Sequence, residues 1–82
     1  MEKYYITFRS VTYGQKGEKS LKEAGISCSL QRTPRWMESR GCGYAVTVEK
    51  PAQAAAVLRE KNIRWEKIYR VSEGRAPEEV RL

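Results

Sequence analysis

Residues 26–49 read ISCSLQRTPRWMESRGCGYAVTVE. Ile26, Cys28 and Leu30 alternate with Ser27, Ser29 and Gln31, and further on Tyr44, Val46 and Val48 alternate with Ala45, Thr47 and Glu49. A period of two is that of a strand with one buried face, so the stretch reads as two strands joined by the connection from Thr33 to Gly43. Connections in small domains usually run to about four to six residues, and longer ones tend to carry function. This one holds Cys42 between Gly41 and Gly43, with Arg32, Arg35 and Arg40 around it and Glu38 as its sole acid. It is a thiol set among positive charge with no bulk beside it.

Upstream, Tyr4, Ile6 and Phe8 alternate with Tyr5, Thr7 and Arg9 and predict a first strand over Tyr4 to Arg9. Ser10 or Thr12 can cap the helix that follows, and Thr12 with Gln15 has the spacing of a capping box. Val11, Gly14, Gly17 or Glu18, Leu21 and Ala24 then recur at helical spacing. The glycines lower helix propensity relative to alanine, which predicts that they let the helix lie close to the sheet. Gly25 stands where a C-cap belongs. Downstream, Pro51 suits a first helical position, Ala52 to Lys61 is rich in helix formers, and Ala54, Val57, Leu58 and Ile63 supply its buried side, with Asn62 as the stop. Trp65 to Val71 predicts a last strand, although its two sides divide less cleanly.

The predicted order is β-α-β-β-α-β, that of an α+β ferredoxin-like unit: a four-stranded antiparallel sheet with two helices on one face. Residues 1–72 form this single domain, and residues 73–82 read as a polar tail with at most one short helical turn. In that arrangement the end of the first strand, the 33–43 connection and the helix start at Ser10 and Thr12 meet at one end of the sheet. The free amides and dipole of a helix start favour an anion there. Both the fold and the local arginines thus predict a thiolate at Cys42. Cys28 belongs to the apolar side of its strand and is expected in the core. It stands about four residues, or about 13 Å, along the strands from Cys42, too far for a disulfide.

Composition narrows the chemistry. In 82 residues with a formal net charge of +6 there is no histidine, so the commonest general base and metal ligand are absent. Two cysteines without a CxxC spacing make a poor metal, haem or iron–sulfur site, and no metal, cofactor or enzymatic activity is expected. No apolar run approaches a membrane span and the start MEKYYITF lacks a secretory cleavage site, which places the chain in the cytoplasm, away from the membrane. The positive charge suits anionic partners. Arg40, Gly41, Gly43 and Tyr44 partly match the RNA-recognition signature, which raises an alternative function: an RNA-binding module stacking bases on Tyr44 and Tyr5. Apart from that alternative, nucleic-acid binding is expected to be weak and salt-dependent.

The opening YYITFRS, the helix end KSLKEAGI and the block TPRWMESRGCG together resemble a bacterial family, the selenium/sulfur carrier protein-like family, formerly a domain of unknown function. The resemblance covers roughly Lys3 to Val71, and its specific part is Thr33, Pro34 and Arg35, then Ser39, then Cys42 and Gly43. It implies a non-enzymatic carrier that holds sulfur or selenium on Cys42, with Arg40 and Gly41 completing the loop, and passes the atom on by thiol exchange between donor and acceptor proteins. A persulfide-forming, desulfurase-type donor is the partner that this implies. Better-understood small sulfur carriers keep their cysteine in a Cys-Pro-x-Pro turn, whereas here Cys42 precedes Gly43 and a strand.

Overall fold

The computed structural model describes residues 3–33, 43–72, 74 and 78–81. Its elements are β1 (Lys3–Phe8), α1 (Val11–Glu23), β2 (Cys28–Arg32), β3 (Tyr44–Val48), α2 (Pro51–Glu60), β4 (Ile68–Val71) and β5 (Glu78–Val80). The fold is α+β, with two helices and a five-stranded antiparallel sheet in the order β2-β3-β1-β4-β5. The first six elements follow the predicted order. The expected count of four strands is corrected to five, because Glu78–Val80, in the stretch read as a polar tail, pairs with β4 through Ile68↔Val80, Tyr69↔Glu79 and Arg70↔Glu78. One apolar residue and two acids give this strand no alternation of its own to read. Its register is held instead from across the ladder, by Val80 against the core and by an Arg70–Glu78 ion pair at 2.7 Å.

Ile6, Phe8, Val46, Val48 and Ile68 form the covered face of the sheet, against Leu21 of α1, Ala54 and Leu58 of α2, and Ile63 beyond it. Apart from Ala54, each such side chain taken from water contributes about 1.5–3 kcal/mol. Gly14 and Gly17 are buried, and they allow the close approach that their positions predicted. A Cβ at Gly14 would stand 3.0 Å from Leu30 Cδ1, and one at Gly17 would stand 2.9 Å from Phe8 Cζ. Val11 and Ala24, expected on the same face, are exposed.

Both helices end in the same motif. Gly25 (φ 81°) follows the last residues of α1, with its N–H donating to Lys22 O at 3.0 Å and the Ile26 N–H donating to Leu21 O at 2.9 Å. Asn62 (φ 59°) repeats this after α2, with bonds to Arg59 O at 3.1 Å and from Ile63 to Leu58 O at 2.9 Å. These are the paired bonds of a Schellman cap, whose left-handed position takes glycine or asparagine. Ile26 is thereby used in the first cap, and β2 begins two residues later than its alternation predicts.

β4 is shorter than the predicted Trp65 to Val71 for a definite reason. Thr7 N–H donates to Lys67 O at 2.8 Å, while Glu66 N–H donates to Thr7 O at 2.7 Å, so two residues oppose one. This is a β-bulge. It reverses the alternation, so that Trp65 and Ile68 both pack on the core although they are three residues apart. The uneven sides of this stretch in the sequence have that origin.

Candidate functional site

The register places the ends of three strands together. Phe8 at the end of β1 pairs with Tyr44 at the start of β3, and Tyr44 pairs with Arg32 at the end of β2. One step further, Thr33 N–H donates to Gly43 O at 3.2 Å, which closes the base of the 33–43 connection. Thr33 is buried at 5% exposure. A Cβ built on Gly43 would have nothing within 4 Å among the described residues. Pro34, Arg35, Ser39, Arg40, Gly41 and Cys42 lie outside the described residues, as do Trp36, Met37 and Glu38.

The start of α1 stands at this same end, since only Arg9 and Ser10 separate it from Phe8. Ser10 is the N-cap, with extended backbone (φ −136°, ψ 158°), and its hydroxyl accepts the Tyr13 N–H at 3.3 Å. Thr12 is the second helical residue rather than the cap. The first turn carries no acid, so the positive end of the helix dipole is not offset from within the helix. Of the expected site residues, the structure thus brings Thr33, Gly43, Ser10 and Thr12 to one end of the sheet.

Cys28 is at the other end of β2, opposite Val48. Four residues separate this pairing from that of Tyr44, about 13 Å at strand rise. Cys28 is half-buried against the core, and its Sγ donates to Glu18 O at 3.6 Å. Burial pushes the thiol pKa up, the Glu18 carboxylate adds to this, and Lys22 partly opposes it. A thiol held protonated is a poor nucleophile. The expectation that Cys28 packs rather than reacts agrees with these surroundings.

The pairing of Tyr44 with Tyr5 as two stacking platforms is not supported. Tyr5 is opposite Thr47, and Tyr44 is opposite Phe8 on β1. With alternating side chains these positions fall on opposite faces, and the Tyr44 Cβ lies only 3.7 Å from where a Cβ on Gly14 of α1 would be. Tyr44 therefore faces the helix.

Sequence reading passed over a different cluster. Arg59, Asn62, Ile63, Arg64 and Trp65 line a cavity of about 560 Å³ at the end of α2, and the Arg59 guanidinium sits 5.5 Å from the centre of the Trp65 ring. The signal was the short run Asn62-Ile63-Arg64-Trp65 behind Arg59, where a tryptophan stands among cations. The bulge that turns Trp65 toward the core has no signature in that run. Among the described residues no group of His, Cys, Asp or Glu is placed to hold a metal ion, and no helix is long and apolar enough to cross a membrane.

The model of the family described as "Putative Se/S carrier protein-like" matches residues 3–70. No curated protein and no solved structure matches the chain. The family match runs from the first residue of β1 into β4 and takes in both helices and the whole 33–43 connection. By that span the chain belongs to the selenium/sulfur carrier protein-like family.

Proposed function

We propose that this protein is a cytoplasmic, non-enzymatic carrier that holds sulfur or selenium on Cys42 as a persulfide or perselenide, on a ferredoxin-like β-α-β-β-α-β frame extended by one strand. The observation that carries this reading is the family match across the Thr-Pro-Arg to Cys-Gly block. The described ends of the connection are consistent with it. Gly43 has no described residue within 4 Å of where a Cβ would stand, and the start of α1 supplies positive potential at that end of the sheet. Cys28, protonated and half-buried, is not a competing carrier.

The chemistry needs no base and no metal. The Cys42 thiolate attacks the terminal sulfur of a donor persulfide, a new S–S bond forms on Cys42, and the donor's S–S bond breaks to release the donor thiolate. The acceptor thiolate then attacks the terminal sulfur on Cys42, and the Cys42 thiolate leaves. One sulfur moves at each step with no net oxidation. Arg35 and Arg40 favour the thiolate by their charge, Thr33 anchors the loop, and Pro34, Ser39 and Gly41 belong to the same supporting stretch. A desulfurase-type protein that forms persulfides is the donor we propose.

Intact-mass measurement after exposure to a low-molecular-weight persulfide and removal of excess reagent tests this. The wild type and Cys28→Ser should gain one sulfur atom, and Cys42→Ser should gain none. An equal adduct on Cys42→Ser would overturn the assignment.

A further inference from the structure

We infer that the start of α1 is the docking face for the protein that exchanges sulfur with this chain, and that this partner is acidic around its own cysteine. The inference rests on the carrier reading, because a protein-borne persulfide has to be seated beside the 33–43 connection.

Among the described residues the exposed large apolar side chains are Val11 at 37% and Tyr13 at 45%. Both fall in the first turn of α1, although the core needs neither and takes Gly14, Gly17 and Leu21 from this helix. Apolar side chains scattered singly over a surface are ordinary. These two share one helix tip, and that tip stands at the end of the sheet where Thr33 and Gly43 close the base of the connection. Residues two apart in a helix are about 200° apart around its axis, so a surface covering both must straddle the helix start. Tyr13 also edges a cavity of about 300 Å³ with Arg9, Arg64, Trp65 and Glu66, a recess for a side chain of the partner.

The charge around the tip is positive. Glu66, the acid in that lining, is engaged by Arg9 at 2.7 Å, and no acid stands in the first turn of α1. Lys16, 5.9 Å from the centre of the Tyr13 ring, is exposed, as are Arg64 and, at the end of β2, Arg32. Such a face draws a carboxylate-bearing surface from a distance and orients it before contact. Tyrosine is among the residues that carry binding energy at an interface once water is excluded around them. Val11 offers a nucleic acid neither a hydrogen bond nor a ring, which favours a protein partner.

Two donors separate docking from chemistry. Cysteine persulfide is small and reports Cys42 alone, whereas a purified cysteine desulfurase carrying its persulfide has to dock. With transfer followed by intact mass, wild type should take one sulfur from each. Tyr13→Ser should slow transfer from the desulfurase at least tenfold, and Lys16→Gln with Arg64→Gln at least fivefold. Rates from the small donor should stay within twofold of wild type, with circular dichroism unchanged. Salt raised from about 0.05 M to about 0.5 M should slow the desulfurase transfer to wild type at least tenfold, and less in the double variant. Undiminished desulfurase transfer in Tyr13→Ser or in the double variant, no salt dependence, or no desulfurase transfer to a wild type that the small donor loads would overturn the docking face. Binding of a single-stranded oligonucleotide that the double variant abolishes, with its desulfurase transfer unaltered, would assign the face to nucleic acid and overturn it too. If wild type takes no sulfur from cysteine persulfide, the carrier reading itself has failed, and this inference falls with it.

Discussion

Gly17 of α1 lies so close to Phe8 of β1 that a methyl group on it would stand 2.9 Å from Cζ and 3.3 Å from Cε1 of the ring. Phe8 is wholly buried, so the ring has nowhere to go, and Leu58 Cδ2 bounds the same point at 3.4 Å. Gly17→Ala gains about 1 kcal/mol of helix propensity but overpacks the core by about 1–3 kcal/mol. A net loss of about 1 kcal/mol is expected in urea denaturation. At the exposed helical position Gln15 the sign should be opposite, with Gln15→Ala more stable than Gln15→Gly by about 1 kcal/mol.

Thr7 is buried on the sheet face away from the helices, where its hydroxyl accepts the Lys67 N–H at 3.0 Å and donates to Lys67 O at 3.2 Å. Valine has the same shape without the oxygen. Thr7→Val leaves the Lys67 amide without this acceptor, and a loss of about 1–3 kcal/mol is expected by chemical denaturation. Amide exchange at Lys67 should speed up along with it.

Cys28 makes stability depend on pH in a definite direction. Its thiol pKa is raised in the folded state by burial, then by Glu18, against Lys22. The unfolded chain therefore releases this proton first as the pH climbs. The contribution is complete below the free-thiol value of about 8.5 and is lost as pH rises through the higher folded value. Denaturation midpoints of wild type and Cys28→Ala, followed from about pH 7 to about pH 10, should show the wild-type advantage shrinking with pH. Alkylation of Cys28 at neutral pH should be slow in the same samples.

Much of this fold could be read from alternation and punctuation. The third strand, predicted from Tyr44 to Glu49, is Tyr44–Val48, Ser10 was one of two caps offered, and Gly25 and Asn62 stopped the helices where left-handed backbone was needed. What escaped was whatever depends on a partner across the sheet. β5 has no pattern until Arg70 and Ile68 are set opposite it. Trp65 packs on the core because a bulge at Glu66 and Lys67 turns the chain, and that bulge is bonded to Thr7, about sixty residues away. The family motif was visible as residue types at Thr33, Pro34, Arg35, Ser39, Cys42 and Gly43, while the geometry that supports it belongs to its two described ends.

The outer side of β2 carries a further consequence. The Leu30 N–H, which points away from β3, donates to Glu18 Oε2 at 2.8 Å, and Lys22 holds that carboxylate from the next turn of α1 at 3.5 Å. At the opposite border, β5 is three residues long with Glu78 and Glu79 among them. A strand arriving from another molecule would find its hydrogen-bonding template occupied on one side and short and negatively charged on the other. At the β2 border a single helix carboxylate thereby competes with an incoming strand for the Leu30 N–H. Glu18→Ala should release that border, and concentration-dependent self-association by sedimentation, absent in wild type, is the expected sign.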